Sequence, residues 1–419
     1  MNEGLRRSVV CVAPVLPADV RNYARALSEA GWLRSLVCGG AYHRDSAIGR
    51  GIRVIDRVAG TRLVARTANR RVSDEVLATT LVAHPFPEIW GGLAARSGLC
   101  GPSVECGDAQ LDRLDRFAAR LLRTGDRIVI GREDCCERTF AAARRVGAVT
   151  VYDLPIAYHA AARQIRDIEQ QTFPNVESDS DQWPTYGQGR GRRKDRELNA
   201  ADQVVAPSDF VRRGLLEVGK SPDGISVIPF GCDPGRPHAA AGDRKPLVLY
   251  VGHVSLRKGI PRLLRVWKKL GAYRTHTLRL IGKMMLAPKF LADYAGTYEH
   301  VPQVPRSDLW AHYAAAQVFV FPSACDGFGL VLNEALSCGT PVIASTHTGA
   351  PGFVTHGQEG LIYPHGEDDQ LDSHLEWCLS NPRETAEMGR RAYDLAQRWG
   401  WPEYRAAFRG MVTEVLAKP

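Results

Sequence analysis

The sequence predicts an α/β fold built from two doubly wound domains in tandem. Short β-branched runs alternate with amphipathic helical patterns along most of the 419 residues. Such alternation indicates parallel sheets that are covered by helices on both faces. The alternation stops at a stretch rich in Pro and Gly, residues 229–245, and then starts again. Because a chain of this length is expected to form about two or three domains, this break is the best candidate for a domain boundary.

The first half of the chain contains the first predicted sheet. Strand 9–13 is followed by a helix at 19–30, whose Ala24, Leu27 and Ala30 share one face. Length and periodicity predict further strands at 36–38, 52–55, 127–130, 148–152, 203–206 and 225–228, and helices at 111–122, 139–146, 193–201 and 209–218. The longest stretch without periodicity, 173–191, is expected to be a loop, either a mobile lid at the acceptor site or a passive surface loop.

The second half repeats the pattern. A strand at 247–251 leads into a helix at 258–270. We expect further strands at 277–281, 318–321, 341–344 and 360–363, and helices at 308–315, 330–337, 371–379, 383–398 and 404–416. The resulting division is an N-terminal domain at 1–228, a linker at 229–245, a C-terminal domain at 246–399 and a terminal helix at 400–419 that crosses back to the N-terminal domain.

Composition narrows the class of protein. Apolar residues make up 44% and charged residues 24% of the chain, which is typical of a globular protein and excludes a disordered or collagen-like chain. The formal charge of +8 suggests nucleic acid as a partner. However, the basic residues are spread over both halves, whereas a nucleic-acid binder concentrates them in a stripe with aromatic residues. One cluster stands out, Arg190-Gly-Arg-Arg-Lys-Asp-Arg196, which is either a solvated segment or a patch that attracts an anionic membrane or a lipid-diphosphate acceptor.

Cysteine usage and the N-terminus bear on location. The ten cysteines form no CxxC pair and show no metal-binding spacing, which favours a reducing compartment. No apolar run approaches the ~18 residues of a transmembrane helix. The apolar segment after Arg6-Arg7 lacks a small-x-small cleavage site, so a buried first strand is a better interpretation than a signal peptide. We expect a cytoplasmic protein, with the option of peripheral contact at the inner face of a membrane.

The turns after the predicted strands carry no dinucleotide-binding or P-loop motif. Pro14-Val-Leu-Pro-Ala-Asp19 lacks GxGxxG, and no Gly-x4-Gly-Lys-Ser/Thr occurs. The turn after the first strand of the second half reads Gly252-His-Val-Ser-Leu-Arg-Lys-Gly259. It still suits an anion, because His253, Arg257 and Lys258 are donors beside a predicted helix N-terminus, whose free N–H groups favour phosphate.

A Gly-rich turn in the second half carries the strongest signal. The strand that ends near residue 321 runs through Asp326-Gly-Phe-Gly-Leu330 into an apolar helix, on which Glu334 lies about two turns beyond Asp326. The amides of residues 327–330 are the free donors at the start of this helix. Two carboxylates around bare amides can hold a polyhydroxylated, phosphate-linked ligand. An Asp cap and an exposed Glu would explain either carboxylate singly, but they explain poorly why Gly flanks Phe328 on both sides.

Four ordered motifs resemble the retaining glycosyltransferases of family 4, which have the GT-B fold. The carboxylate motif reads Asp326-x7-Glu334 and is followed by Cys338-Gly-Thr-Pro-Val-Ile-Ala344. The other three are the phosphate turn Gly252-His253-x4-Lys258-Gly259, the segment Ala201-Asp-Gln-Val-Val-Ala-Pro-Ser208 and the linker Pro229-Phe-Gly-Cys-Asp233. The resemblance covers most of the chain and is strongest from about residue 195 to about residue 380.

Three departures from the family pattern bear on activity. Asp326 stands where the family has Glu, which shortens the side chain by one methylene. His253 stands where the family has Arg, so either Arg257 supplies the charge or the nearby phosphate protonates His253. The Gly-Gly often found in the family's first N-terminal loop is missing.

The resemblance implies a retaining transferase whose two Rossmann-like domains face a cleft. The C-terminal domain would bind a UDP- or GDP-linked sugar, with Lys258, Arg257 and His253 neutralising the leaving diphosphate. Glu334 would hold the ribose, and Asp326 would contact the donor sugar. The remaining donor-binding residues that the resemblance implies are Gly252, Gly282, Val304, Gly327, Phe328, Gly329, Leu330 and Val331. It implies no cofactor and no metal site.

The N-terminal domain would bind the acceptor. Family members often place a His near the reacting centre, and we expect Asp153 and His159 there. A cap Asp and a His on a helix face are the structural alternatives. His84, Arg132 and Glu133 are further candidates on the acceptor side, Arg132 and Glu133 because they follow a strand whose end faces the cleft. The acceptor would be a glycan, a lipid-linked glycan or a small molecule, in envelope polysaccharide synthesis.

Two other functions stay open at the level of sequence. A sugar-nucleotide 2-epimerase of the same fold would need acid and base carboxylates in the N-terminal domain, for which no matching motif is found. A non-catalytic protein that binds sugar nucleotides would be compatible with the changes at Asp326 and His253.

Overall fold

The computed structural model shows two parallel sheets, one in each half of the chain. It describes residues 5–39, 41–43, 47–59, 71–72, 80–83, 103–176, 183, 188–233 and 244–417. In the N-terminal half the described strands are β1 (Val9–Ala13), β2 (Leu33–Cys38), β3 (Tyr42–His43), β4 (Arg71–Val72), β5 (Leu81–Ala83), β6 (Ile128–Arg132), β7 (Val149–Asp153), β8 (Gln203–Ala206) and β9 (Ile225–Val227). Strands β3 and β4 pair with each other, and the others form one parallel sheet in the order β5-β2-β1-β6-β7-β8-β9.

Helices flank this first sheet. Those described are Ala18–Glu29, Ala47–Ala59, Ser103–Leu121, Glu137–Arg145, His159–Thr172, Gln188–Ala200 and Asp209–Glu217. The strand predicted at 52–55 is wrong, because these residues lie inside the helix Ala47–Ala59. Their β-branched side chains suggested a strand, but Val54 and Ile55 are exposed and join no sheet within the described chain. The loop expected at 173–191 is also too long, since a helix begins at Gln188.

The second sheet contains six strands. They are β10 (Lys245–Val251), β11 (Thr277–Ile281), β12 (Glu299–Val301), β13 (Ala316–Phe321), β14 (Val342–Ser345) and β15 (Gly360–Tyr363), in the order β12-β11-β10-β13-β14-β15. The helices of this half are Ile260–Leu270, Pro288–Ala292, Arg306–Ala315, Leu330–Ser337, Asp368–Ser380, Pro382–Arg398 and Trp401–Ala417. None of the helices in the described part of the chain combines the length and the apolar character that a bilayer crossing needs.

One helix boundary differs from the prediction in a way that matters for the site. The helix expected from residue 258 begins at Ile260, and Gly259 caps it with φ of 69°. A Cβ at Gly259 would collide with the carbonyl oxygen of Pro322. Lys258 therefore lies before the helix, on a turn that is pressed against the end of β13.

The chain crosses from one domain to the other twice, and the two crossings lie side by side. Gly231 and Gly400 are packed so closely that a Cβ on Gly231 would lie 2.5 Å from the carbonyl oxygen of Gly400. The helix Trp401–Ala417 then packs on the helix Ala18–Glu29 of the N-terminal domain. Tyr23 and Phe408 stack there with ring centroids 5.0 Å apart. The last helix thus belongs by its contacts to the N-terminal domain.

The carboxyl ends of the two sheets face each other. Pro155 and Ile156, which follow β7, lie against Gly327, which follows β13. The Ser208 hydroxyl, after β8, donates to the Gly327 carbonyl at 2.5 Å. A cavity of about 500 Å³ lies between the residues that follow β1 and the helix Leu330–Ser337. Loops from both sheets therefore enclose one cleft.

Removal of the Phe408 ring should show how much the crossing helix contributes to stability. Phe408 is fully buried, so we expect Phe408→Ala to lower the free energy of unfolding by about 3–5 kcal/mol. Urea unfolding followed by circular dichroism measures this change. Glu414→Ala, on an exposed position of the same helix, is the control and should cost less than about 0.5 kcal/mol. Equal effects of the two variants would contradict the packing role.

Candidate active site

Glycines that follow β10 and β11 let the start of the phosphate turn pack closely against the end of β11. Gly252 has φ of 143° and Gly282 has φ of 139°, and a Cβ on Gly282 would collide with the Gly252 carbonyl. The Gly252 N–H donates to the Ile281 carbonyl at 2.9 Å. The Tyr250 hydroxyl donates to the His253 carbonyl at 2.8 Å. Three of the predicted donor-binding residues, Gly252, His253 and Gly282, are therefore neighbours.

Lys258 and Asp326 form an ion pair at the edge of the cleft. The Lys258 Nζ contacts Oδ2 of Asp326, and the two side chains are 12% and 16% exposed. The other oxygen, Oδ1, accepts the Phe328 N–H at 3.2 Å. Burial lowers the pKa of Lys258, and Asp326 opposes this effect. Burial would raise the pKa of Asp326, but Lys258 and Arg257 hold it below its usual value. An anion that enters the site would compete with Asp326 for the ammonium.

Arg257 and His253 add donors to the same turn. Nη1 of Arg257 donates to the Cys325 carbonyl at 2.8 Å, while its Nε is buried with no acceptor among the residues that the structure describes. Burial lowers the pKa of His253, and the cations Arg257 and Lys258 lower it further. Both effects favour the neutral form of the His253 imidazole. Two cations facing one carboxylate leave this turn with a net positive charge.

The Gly-rich turn is held by its aromatic residue. Phe328 is 2% exposed and packs between Phe230 and Phe353, with ring centroids 5.1 Å and 5.3 Å away. The Phe328 carbonyl accepts the Gly349 N–H at 2.8 Å. A Cβ on Gly349 would meet the Phe328 ring. Phe230 and Gly349 were not predicted; Phe230 lies inside the linker motif, which was the available signal.

The amides of this turn point away from the protein's own acceptors. Gly329 has φ of 89° and precedes the helix Leu330–Ser337. The N–H groups of Gly329, Leu330 and Val331 have no acceptor within the described parts of the chain. Unpaired amides at a helix N-terminus favour a bound anion.

Glu334 is held at the wall of the interdomain cavity. Its Oε1 accepts from Arg306 at 3.1 Å, and its Oε2 accepts from the Tyr313 hydroxyl at 3.0 Å. Burial raises its pKa, an effect that Arg306 and Tyr313 oppose. Both partners were missed at the sequence level, because they lie more than twenty positions from Glu334 along the chain. Val304 is half-buried against the core of the same domain.

The predicted residues Arg132 and Asp153 meet in a buried ion cluster. Nη1 of Arg132 donates to Asp19 at 2.6 Å and to Asp153 at 2.8 Å. Burial raises the pKa of Asp153 to about 6; Arg132 opposes this rise and Asp19 adds to it. The cluster lies where β6 and β7 end, at the edge of the sheet that faces the cleft. Its role toward an acceptor stays a prediction.

Glu133 and His159 are paired within the N-terminal domain. Glu133 contacts Nζ of Lys194, and Nε2 of His159 lies 2.8 Å from an Asp195 oxygen. Both side chains are more than nine-tenths buried. Their roles toward an acceptor also stay predictions, and His84 lies outside the described residues.

The basic cluster at 190–196 is largely neutralised. Four of its five cations form ion pairs: Arg190 and Arg193 with Asp134 and Asp108, Lys194 with Glu133, and Arg196 with Glu137. These pairs favour the alternative of a solvated, internally paired segment, and attraction of the cluster to an anionic surface stays a prediction. Sequence spacing showed the cations but not their partners on other helices and turns.

Solved structures resemble the whole two-domain arrangement. Sucrose-phosphate synthase of Thermosynechococcus elongatus superposes with a TM-score of 0.62 at 18% identity, over 99% of this chain and 100% of that protein. HepE of Anabaena in complex with UDP has a TM-score of 0.58 at 14% identity, over 97% of this chain and 100% of that protein. At these identities the likeness establishes the fold.

The family follows from the sequence comparisons. The model of glycosyl transferases group 1 matches residues 236–395. D-inositol 3-phosphate glycosyltransferase of Kineococcus radiotolerans is 28% identical over 381 residues, which cover 81% of this chain and 85% of that relative. These matches, together with the fold, support a family 4 glycosyltransferase with the GT-B fold. The chain is also 30% identical to the GDP-mannose-dependent alpha-(1-6)-phosphatidylinositol monomannoside mannosyltransferase of Mycolicibacterium smegmatis, over 48% of the chain and 60% of that relative. The family and the fold that the sequence motifs indicated are confirmed.

Loss of the cation in the buried cluster should destabilise this glycosyltransferase in a pH-dependent way. Arg132→Met leaves Asp19 and Asp153 facing each other, so we expect a loss of about 3–5 kcal/mol in the free energy of unfolding at about pH 8. The loss should be smaller at about pH 5.5, because the folded variant then takes up a proton that the unfolded chain does not bind. Urea unfolding at both pH values measures this.

The exposed Arg116, which pairs with Asp112 on the same helix, provides the control for the Arg132 variant. Arg116→Met should cost less than about 1 kcal/mol at either pH. A destabilisation by Arg132→Met that is equal at both pH values would contradict the repulsion between the two carboxylates.

Proposed function

We propose that this protein is a retaining glycosyltransferase that moves a sugar from a UDP- or GDP-linked donor to an acceptor hydroxyl, in the cytoplasm and without a metal or other cofactor. The observation that carries the proposal is the juxtaposition of a cationic turn with unpaired helix amides. Lys258 and Arg257 belong to the turn, and the amides belong to residues 329–331. Both parts lie in the C-terminal domain and face the cleft.

The donor diphosphate would lie between the turn and the amides. As the bond between sugar and phosphate breaks, negative charge builds up on the diphosphate, and fixed donors in a partly dry site stabilise that charge without reorganisation. Lys258 would exchange Asp326 for a phosphate oxygen. Asp326, freed from Lys258, would accept hydroxyl groups of the sugar. The acceptor hydroxyl would attack from the face that the diphosphate leaves, through an oxocarbenium-like state, and would pass its proton to an oxygen of the leaving diphosphate; attack on this face retains the anomeric configuration.

Glu334 would anchor the ribose of the donor. Its carboxylate already accepts two hydrogen bonds at the cavity wall, from Arg306 and Tyr313. A ribose diol could replace the Arg306 contact, since Arg306 is exposed whereas Tyr313 is buried. Val304 precedes Arg306 by two residues, which would bring this loop close to the base.

The acceptor would enter from the N-terminal domain. The cavity is lined on that side by Ala18, Arg21 and Asn22, and on the other by Leu330 and Glu334. The polar groups of Arg21, Asn22 and Glu334 in this lining suit a polyhydroxylated acceptor. The relatives' names specify inositol 3-phosphate and a phosphatidylinositol monomannoside, so we infer an acceptor of the polyol or glycan class, free or lipid-linked, and a role in envelope polysaccharide synthesis.

Turnover of purified protein with a panel of UDP- and GDP-sugars tests the proposal. Release of nucleoside diphosphate is measured by mass spectrometry, with and without polyol and glycan acceptors, and the anomeric configuration of the product is read by NMR. We expect release with at least one donor and a retained configuration. Binding without release would favour the non-catalytic alternative, and release of an epimerised free sugar would favour the epimerase.

Lys258→Met should remove most of the transition-state stabilisation. We expect kcat to fall by about 10²–10³-fold, because the ammonium acts on charge that develops in the transition state. Steady-state kinetics with the best donor measures this. Lys289→Met removes an exposed cation of the same domain and should leave kcat within about twofold. An unchanged kcat in Lys258→Met would reject the diphosphate role.

His253 should make nucleotide affinity depend on pH. Its pKa is lowered in the free protein, and a bound diphosphate raises it, so binding takes up a proton and affinity should increase from about pH 8 to about pH 6. Isothermal titration calorimetry in buffers of different ionisation enthalpy detects the proton. His253→Arg should bind more tightly and His253→Gln more weakly, and both should lose the proton uptake. Uptake that persists in both variants would assign it to another group.

A further inference from the structure

A carboxylate of the N-terminal domain is buried inside the C-terminal domain, away from the crossing helix. Glu169 lies on the helix His159–Thr172, and its side chain is 0% exposed. Its two oxygens accept from Nε of Arg262 at 3.1 Å each, and Oε1 also accepts from Nη2 at 2.6 Å. Nε2 of His365 lies 3.0 Å from the same Oε1. The interdomain contact is thus a forked, fully buried ion pair with an additional imidazole.

The partners of Glu169 are themselves held in place. Nη1 of Arg262 donates to Asp368 at 2.9 Å, and the guanidinium lies 5.3 Å from the ring centroid of Phe173. Burial opposes ionisation of Glu169, but the hydrogen bonds from His365 and Arg262 outweigh it and hold the pKa of the carboxyl below its usual value. A buried carboxylate of this kind is costly without its cation, so the contact is strong only while the domains stay together.

This ion pair is connected to both sides of the proposed donor site. Arg262 lies in the first turn of the helix that begins directly after Lys258 and Gly259. On the other side, the His365 ring lies 4.7 Å from the His347 ring. Nδ1 of His347 lies 2.9 Å from the Ala324 carbonyl, and the His347 carbonyl accepts the Asp326 N–H at 3.1 Å. Lys258 is therefore linked to Arg262 through the start of one helix, and Asp326 is linked to His365 through His347.

Further interdomain contacts continue from this point toward the cleft. Phe210 stacks on His347 with ring centroids 4.8 Å apart. Arg213 donates to the Thr346 carbonyl at 3.0 Å. The Ala287 N–H donates to the Val176 carbonyl at 2.7 Å. All are contacts that opening of the cleft would break, but Glu169 is the member that combines full burial with a charge.

We propose that Glu169 is a positioning residue, which closes the two domains through Arg262 and His365 and thereby holds the donor site around Lys258 and Asp326 against the acceptor-binding domain. The inference rests on the proposed function for its kinetic consequence, although the closure itself does not depend on it. Because the proposed nucleotide contacts all come from the C-terminal domain, loss of Glu169 should weaken catalysis far more than nucleotide binding.

Glu169→Gln in the full chain tests closure first. The amide has the same shape but no charge, so the open form should become more populated. Small-angle X-ray scattering should give a larger radius of gyration for this variant than for the wild type. Asp167→Asn is the matched control, because Asp167 is about half exposed on the same helix and contacts its neighbour Arg166. Identical scattering from Glu169→Gln and the wild type would overturn the proposal, whether or not the protein shows turnover.

Kinetics then separate positioning from a general loss of folding. We expect kcat of Glu169→Gln to fall at least about tenfold, while the dissociation constant for the nucleoside diphosphate stays within about twofold. A purely structural role predicts instead a parallel loss of binding and turnover with unchanged scattering, which would overturn the proposal. If no donor is turned over by the wild type, the proposed function fails while the scattering comparison still decides on closure.

A second pair of variants covers the case in which Glu169→Gln folds poorly. Arg262→Lys keeps the charge but loses the forked geometry, and should open the cleft partially in the same scattering measurement. The double variant Glu169→Gln with Arg262→Lys should be no more open than Glu169→Gln alone, because the two residues act through one contact. Additive opening would show that Glu169 acts through another partner.

Discussion

The packing of Gly231 against Gly400 is the constraint on which the rest of the arrangement depends. Both passages of the chain between the domains meet there, and the Gly400 backbone leaves no room for a Cβ on Gly231. The helix that follows Gly400 is bound to the N-terminal domain by buried aromatic residues. Phe230, next to Gly231, touches both Tyr404 of this helix and Phe328 of the Gly-rich turn, with ring centroids 6.0 Å and 5.1 Å away. The aromatic residue that holds the Gly-rich turn therefore packs directly against the place where the chain crosses between the domains.

The balance of charge differs between the buried ion pairs of this protein and the turn that faces the cleft. Some of the most buried ion pairs lie at the carboxyl ends of the strands or between the domains, where Arg132 and Arg262 each face two carboxylates. The phosphate turn has the opposite balance of charge, because its two cations, Lys258 and Arg257, face one carboxylate. The excess of +8 noted in the composition thus gains a partial explanation: much of the cluster at 190–196 is neutralised, whereas a positive remainder is kept where an anion is expected.

The crossing at Gly231 and Gly400 and the contact of Glu169 join the same two domains but differ in chemistry. The crossing is apolar and aromatic, so its strength varies little with charge or salt. The contact of Glu169 with Arg262 and His365 is ionic and buried, so entry of water into the gap would weaken it by screening the charges. In the proposed closure, a crossing fixed by packing on one side and a charged contact on the other would let the domains open without separating. Such motion would suit the proposed site, whose two substrates would bind to different domains.

Sequence alone indicated the fold class and the family, and it predicts the residues of the donor half of the site. The first two predictions succeeded because the decisive residues are local: the turn from Gly252 to Gly259 and the segment from Asp326 to Glu334 each lie within about ten positions. The strand predicted at 52–55 failed for the complementary reason, since β-branched residues also fit a helix and only tertiary contacts choose between the two.

Tertiary structure alone decided which charges meet. Lys258 and Asp326 are 68 positions apart, and Glu169 and Arg262 are 93 apart. Periodicity and spacing identify an element and its exposed face, but they contain no information about which distant side chain fills the space opposite. Asp153 and His159 show this most clearly: the sequence brought them forward as candidates, and the fold gave them Arg132 and Asp195 as partners. The partners of a buried charge are set by the packing of whole elements, which is a property of the folded chain.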